Sequence, residues 1–160
     1  MLYVRKGYRV QEGALMSYTY KDNTDEVLAA LKRAKKRGLE AIGLTAEGHA
    51  KKKLTREVYT GDKPYKLTGR LRNSITFAVS GETANIQSYR GDHGEAGGSY
   101  SGSAPDDKDM AVYIGTGVEY AAGIETGSHR KAGGVHFLQD AAANHSDEYK
   151  KLMEDSMKNA

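Results

Sequence analysis

Apolar residues recur every three or four positions between residues 24 and 58. The residues that carry this pattern are Val27, Leu28, Leu31, Ala34, Leu39, Ile42, Ala46, Ala50 and Leu54. Such spacing forms one apolar stripe along a helix. Asn23 or Thr24 can cap its first turn. Asp25 and Glu26 then suit the positive end of the helix dipole. The pattern therefore predicts a long amphipathic helix.

Three glycines, Gly38, Gly43 and Gly48, interrupt this stripe. Each costs roughly 1 kcal/mol relative to alanine in a helix interior. Two interpretations follow: the helix breaks near Gly43, or another backbone packs closely there. We favour one long helix with a kink.

Alternating apolar and polar residues predict strands elsewhere in the chain. Residues 1–22 contain two such runs around Gly13, which form either a hairpin or an arm that pairs with a neighbouring subunit. Residues 75–80 and 84–90 are predicted to pair as antiparallel strands, and residues 110–115 as a further strand. The side chains expected to face the core are Ile75, Phe77, Val79 and Ile86.

The segment Leu67–Ile75 is predicted to connect the helical region to the sheet. Thr68 is a plausible helix N-cap, and Gly69 allows a tight backbone entry. Leu71 and Ile75 are four apart, so they share a face of one helical turn. Ile75 also begins the alternating run that predicts a strand.

Arg70 and Arg72 cannot share that apolar face, so they should reach a carboxylate or a partner. Residues 118–127 are rich in small side chains and predict a short helix packed on the sheet. We expect Arg70 or Arg72 to pair with Glu119 or Glu125, within one chain or between subunits.

Two further segments complete the predicted layout. Residues 91–109 have a composition that cannot bury enough apolar surface to offset the entropy of ordering, which predicts a long flexible loop. Residues 137–157 predict a last helix with one apolar stripe, made of Leu138, Ala142, Tyr149, Leu152 and Met153. The fold class is α+β, with a long N-terminal helix and a C-terminal helix packed on a small antiparallel sheet.

Composition limits the function. The chain of 160 residues suits a single domain over 1–160. It has no cysteine, which excludes disulfides, thiolate nucleophiles and cysteine zinc sites. Its apolar runs fall short of the roughly 20 residues that a membrane span needs. Residues 1–7 lack the apolar core of a secretion signal, so none is expected there.

Basic residues crowd into one third of the chain, although the net charge is only +3. They are Lys32, Arg33, Lys35, Lys36, Arg37, Lys51, Lys52, Lys53 and Arg56. Such a run most often forms a solvated helix face. The alternative is a nucleic-acid-binding protein acting through residues 32–56, with Lys51, Lys52 and Lys53 touching DNA or an acidic partner.

Catalytic signatures are missing from the sequence. No phosphate-binding loop or nucleophile elbow occurs. The histidines do not pair at metal-ligand spacing; they are His49, His93, His129, His136 and His145. A small hydrolase using Ser74 with a distant histidine is the remaining catalytic hypothesis. We predict no catalytic, cofactor or metal residues, and no small-molecule substrate.

Three motifs in order carry a family resemblance. The first motif is Thr68–Ile75, the second is Val118–Gly127, and the third is Phe137–Leu138 with Ala141. Their order after a basic amphipathic helix resembles the gene-product-ten-like tail-component family of long-tailed double-stranded DNA bacteriophages and prophages. The family usually has a proline and an acidic residue before the first motif, where this chain has Lys66 and Leu67.

This resemblance implies a structural virion protein without catalysis. It implies a ring of six subunits at the head–tail junction, assembled in the host cytoplasm, in contact with head-closure or connector proteins and with tail-tube or tail-terminator proteins. DNA would pass through its channel. The loop 91–109 then looks like an insertion, and residues 1–22 like an added arm. The interface and structural residues would be Thr68, Gly69, Arg70, Leu71, Arg72, Ser74, Glu119, Tyr120, Glu125, Gly127, Phe137 and Leu138.

Overall fold

The computed structural model describes residues 21–60, 69–84, 87–89, 98–106, 109–128 and 133–158. In chain order its elements are α1 (Thr24–Leu54), a π-helical turn (Thr55–Tyr59), α2 (Arg70–Ser74), β1 (Thr76–Val79), β2 (Gln87–Tyr89), β3 (Gly98–Tyr100), β4 (Val112–Gly115), α3 (Ala121–Thr126), α4 (Phe137–Ala143) and α5 (Ser146–Lys158). This mixture of helices and short antiparallel strands confirms the predicted α+β class. The strands predicted within residues 1–20 lie outside the described residues.

Helix α1 follows the predicted stripe and continues without a break through Gly43. The first turn of α1 is not capped in the way that the sequence predicts. Asn23 occupies the cap position without a side-chain bond, and the Thr24 N–H donates to Asp22 Oδ1 at 2.9 Å. The chain stays helical for one wider turn to Tyr59. Although α1 has 31 residues, neither it nor another described helix holds an apolar run that could cross a bilayer.

Two of the three helix glycines lie where α1 receives a side chain from another element. A Cβ at Gly43 would sit 2.2 Å from Phe77 Cδ2, and one at Gly38 would sit 2.6 Å from Met153 Sδ. The expected second backbone at Gly43 is therefore wrong, because a phenylalanine ring makes the close approach. A Cβ at Gly48 would meet no described atom within 4 Å outside its own turn of the helix, so packing does not explain why glycine occupies this position.

The strands pair differently from the prediction. β1 pairs antiparallel with β4, which places Phe77 opposite Ile114, and β2 pairs with β3 in a separate two-stranded sheet. The predicted pairing of residues 75–80 with 84–90 is wrong. Alternation identifies a strand, but it carries no signal for the neighbour that the backbone selects. Ile86 lies outside the described residues.

Part of the predicted loop 91–109 is ordered by backbone hydrogen bonds. β3 falls inside it, and the next residues run beside the turn that follows β1. The Ala84 N–H donates to the Gly102 carbonyl at 2.8 Å, and the Ala104 N–H donates to the Glu82 carbonyl at 3.0 Å. The prediction of a flexible loop is therefore wrong for residues 98–104. Backbone hydrogen bonds order this segment, and amino-acid composition gives no information about such bonds.

The C-terminal segment forms two helices, so the single helix predicted over 137–157 is wrong. After a turn, α5 runs antiparallel to α1, and the Ser156 hydroxyl donates to the Ala34 carbonyl at 2.7 Å. The turn lets α5 change direction and pack on α1. It also changes the buried stripe: Ala141 is buried, whereas Ala142 is exposed.

Candidate functional site

The three motifs meet in one hydrophobic core. Its buried members are Ala50, Leu54, Leu71, Ile75, Val118, Ala121, Val135, Phe137 and Ala141. The first motif contributes Leu71 and Ile75, and the second contributes Val118 and Ala121. Phe137 from the third motif is fully buried. The first two motifs are thus in packing contact, against the C-terminal end of α1.

Gly69 opens the first motif in a left-handed conformation, with φ of +75°. Gly69, and not the predicted Thr68, holds the N-cap position of α2, and Thr68 lies outside the described residues. The Gly69 carbonyl accepts a bond from the Asn73 N–H at 2.8 Å. Residues with a Cβ rarely adopt this φ, so the turn favours glycine.

Gly127 closes the second motif for a related reason. Its φ is +79°, and a Cβ there would lie 2.2 Å from the Gly134 nitrogen. The residue after α3 therefore needs both the left-handed backbone and the missing side chain. Residues 133–136, which precede α4, therefore lie against the end of α3, where the Val135 N–H donates to the Ile124 carbonyl at 2.9 Å.

The two motif arginines contact aromatic rings. Arg70 Nε donates to the Tyr100 hydroxyl, and its guanidinium carbon lies 5.5 Å from the centre of that ring. The guanidinium of Arg72 lies 5.4 Å from the centre of the Tyr59 ring. Burial raises the pKa of the Tyr59 phenol above its ordinary value. Both contacts hold a cation over a π face, an arrangement that favours arginine over lysine.

The predicted arginine–glutamate pair is not formed within the described part of one chain. Glu125 instead accepts two backbone bonds at the start of α4, from the Leu138 N–H at 3.1 Å and the Gln139 N–H at 2.9 Å. It therefore caps a helix whose first amides have no partner inside the helix. Glu119 and its neighbour Tyr120 are exposed. Pairing of Glu119 with an arginine of another subunit stays a prediction.

Replacing Glu125 with alanine should lower the free energy of unfolding by about 1–2 kcal/mol, because α4 loses its only described carboxylate cap. The matched control is Glu119→Ala, which removes an exposed carboxylate from the same motif and should change stability by less than about 0.5 kcal/mol. Urea denaturation followed by circular dichroism measures both. Equal losses in the two variants would contradict the capping role.

Ser74 links the first motif to the second through hydroxyl groups. It is 1% exposed, its Oγ donates to the Leu71 carbonyl at 2.8 Å, and it lies 2.5 Å from Thr116 Oγ1. Thr116 Oγ1 in turn accepts the Val118 N–H at 3.2 Å. Among the described residues, the partners of the Ser74 hydroxyl are thus the Leu71 carbonyl and Thr116, not a histidine, so these contacts lend the hydrolase hypothesis no support.

The lysine run at the end of α1 is largely engaged with acidic residues of the same chain. Lys51 lies 2.5 Å from Glu47, and Lys53 lies 3.1 Å from Asp140. Lys52 is exposed. Neutralising Lys51 or Lys53 would also break an internal ion pair. Of these three lysines, Lys52 is therefore the one whose neutralisation tests contact with DNA most directly. Binding of nucleic acid through residues 32–56 stays a prediction. The ion pairs of Lys51 and Lys53 make the basic surface available to DNA smaller than the sequence indicates.

The structure brings together a group that sequence reasoning missed. His49 and His145, 96 positions apart, stack with ring centres 3.6 Å apart and planes within 8°. Glu148 lies beside them. Motif spacing tests only residues close in sequence, and no sequence signal joins the end of α1 to the turn before α5.

Comparison with known protein families, with curated proteins and with solved structures found no match for this chain. The resemblance to the phage tail-component family therefore rests on the three motifs themselves.

Proposed function

We propose that this chain is a structural subunit of a ring at the head–tail junction of a tailed bacteriophage or prophage. The ring joins the head connector to the tail and leaves a channel for DNA. The ordered motifs support the family, and their packing into one core supports treating them as one structural unit. The observation that carries the proposal is an apolar surface on α1 that the described residues leave exposed.

That surface, the α1 stripe, consists of Val27, Leu28 and Leu31. Their relative exposures are 54%, 51% and 39%. Leu31 follows Val27 by four residues and Leu28 by three, so it shares a helix face with both. These residues precede Ala34, whose carbonyl accepts a hydrogen bond from the Ser156 hydroxyl near the C-terminal end of α5. Clustered exposed apolar residues are typical of a protein–protein contact.

A ring subunit needs two different surfaces, because each copy contacts its neighbours head to tail. The α1 stripe supplies one. The exposed side of the second motif, with Glu119 and Tyr120, supplies the other, since Tyr120 is 46% exposed and aromatic residues are enriched at interfaces. The activity of the protein is then assembly, driven by burial of these surfaces between copies and against the connector and the tail.

The double change Leu28→Glu with Leu31→Glu should abolish ring formation, because it places two charges in the contact without touching the core. Light scattering and negative-stain electron microscopy should show six-fold rings of the unaltered chain, alone or with a connector or tail-tube protein. The matched control is Leu44→Glu, an exposed leucine of the same helix outside the stripe. A chain that stays monomeric with every such partner would contradict the proposal.

A further inference from the structure

Three side chains with metal-ligating atoms converge where α5 meets α1. His49 lies on α1, His145 in the turn before α5, and Glu148 in the first turn of α5. His49 Nε2 lies 2.8 Å from Glu148 Oε2, and His145 Nδ1 lies 3.9 Å from the same oxygen. One ligand atom from each residue lies within 4.8 Å of the other two.

We propose that His49, His145 and Glu148 form a binding site for a divalent transition-metal ion of the zinc class. Two imidazoles with one carboxylate are a donor set that zinc accepts in proteins. At a bond length near 2.1 Å, ligand atoms around a tetrahedral ion lie about 3.4 Å apart. The separations of the Glu148 oxygen from the two histidine nitrogens, 2.8 Å and 3.9 Å, lie on either side of this value. Because an ion lies in the plane of each imidazole that binds it, the stacked rings would have to turn out of their parallel arrangement on binding.

The carboxylate of Asp140 lies near His145, one of the proposed ligands. Asp140 Oδ2 faces His145 Nε2 at 4.0 Å, on the side of the ring away from Glu148. The other oxygen of Asp140 is held by the Asn144 amide at 2.7 Å and by Lys53 at 3.1 Å. A carboxylate hydrogen-bonded to a histidine ligand fixes the ring and its tautomer in many zinc sites, and here the two groups lie at ion-pair distance, beyond hydrogen-bond length.

The surroundings orient the rings but leave the ion accessible. Tyr149 packs near both imidazoles, with ring centres 6.5 Å from His49 and 6.1 Å from His145. Its hydroxyl donates to the Ala141 carbonyl, which fixes the tyrosine. Glu148 is about half exposed, so a fourth position faces solvent. Water or a ligand from another molecule can occupy it, and the ion would tie α1 to the α4–α5 turn.

Titration of the metal-free chain with Zn²⁺ alone, by calorimetry, should show one site per chain. His49→Ala, His145→Ala and Glu148→Gln should each weaken binding by at least about tenfold, since even outer partners of metal ligands cost 10–100-fold. Bound Co²⁺ should give the visible spectrum of a tetrahedral site. Zn²⁺ should also raise the melting temperature of the unaltered chain but not of the three variants.

Two controls separate this site from general metal binding. His136→Asn removes an exposed histidine with φ of 50°, a conformation that asparagine tolerates. Glu154→Gln removes an exposed carboxylate of the same helix as Glu148. Both should bind Zn²⁺ like the unaltered chain. Absence of binding by the unaltered chain, or binding that survives all three ligand changes in folded variants, would overturn the proposal and leave a polar contact between helices.

Discussion

Replacing Leu71 with alanine is expected to lower the free energy of unfolding by about 2–5 kcal/mol, the range for large-to-small changes in a core. Leu71 is 1% exposed and lies in the core where the three motifs meet. The loss combines the transfer of the removed atoms to water with the cavity that α2, pinned by the Ser74 hydroxyl bonds, cannot collapse to fill. Urea unfolding of the monomer measures it.

The control for this change is Leu44→Ala. Leu44 is 64% exposed, so the same chemical change should alter stability by less than about 0.5 kcal/mol. The comparison is made at a protein concentration where the chain is monomeric, because subunit contacts would add to either value. A loss at Leu71 no larger than that at Leu44 would show that the first motif does not pack as described.

Replacing Gly43 with alanine is expected to destabilise the protein by about 1–3 kcal/mol, the usual cost of overpacking. Alanine favours the helix by roughly 1 kcal/mol. Against that gain, the new Cβ would lie 2.2 Å from Phe77 Cδ2 and 2.6 Å from Phe77 Cγ. The second atom is close to the backbone of β1, so the ring cannot move away by a small rotation. The clash outweighs the gain in propensity.

Gly48→Ala is the matched control on the same helix. No described atom lies within 4 Å of its Cβ position, so alanine should raise the free energy of unfolding by up to about 1 kcal/mol. The opposite signs of the two changes are the prediction. In a Phe77→Ala background, Gly43→Ala should become stabilising as well. If Gly43→Ala stabilises the unaltered chain, β1 does not pack on α1 through Phe77.

Local features of the fold follow from local sequence. The apolar stripe of α1 predicts a helix to residue 58, and helical structure ends at Tyr59. Leu71 and Ile75 are predicted to share a face, and both are buried in the same core. Residues three or four apart on a helix are neighbours whatever the rest of the chain does, so their periodicity can be interpreted without the tertiary structure.

The partners of charged and polar side chains did not follow in the same way. Arg70 and Glu125 have opposite charges, which predicts that they pair. In the fold, Arg70 contacts Tyr100 and Glu125 caps α4. In the predicted pair and in the observed contacts alike, each charged side chain has a polar or aromatic partner. The distance between elements decides between them, and the sequence does not contain that distance.

The sequence by itself determined the long helix and the helix-to-strand connection at the first motif. Only the tertiary structure decided that β1 pairs with β4, that Phe77 fills the space at Gly43 and that His49 meets His145. The physical reason is the range of the interactions. Periodicity records contacts within one element, whereas these contacts join segments far apart in sequence, whose meeting depends on how the whole chain packs.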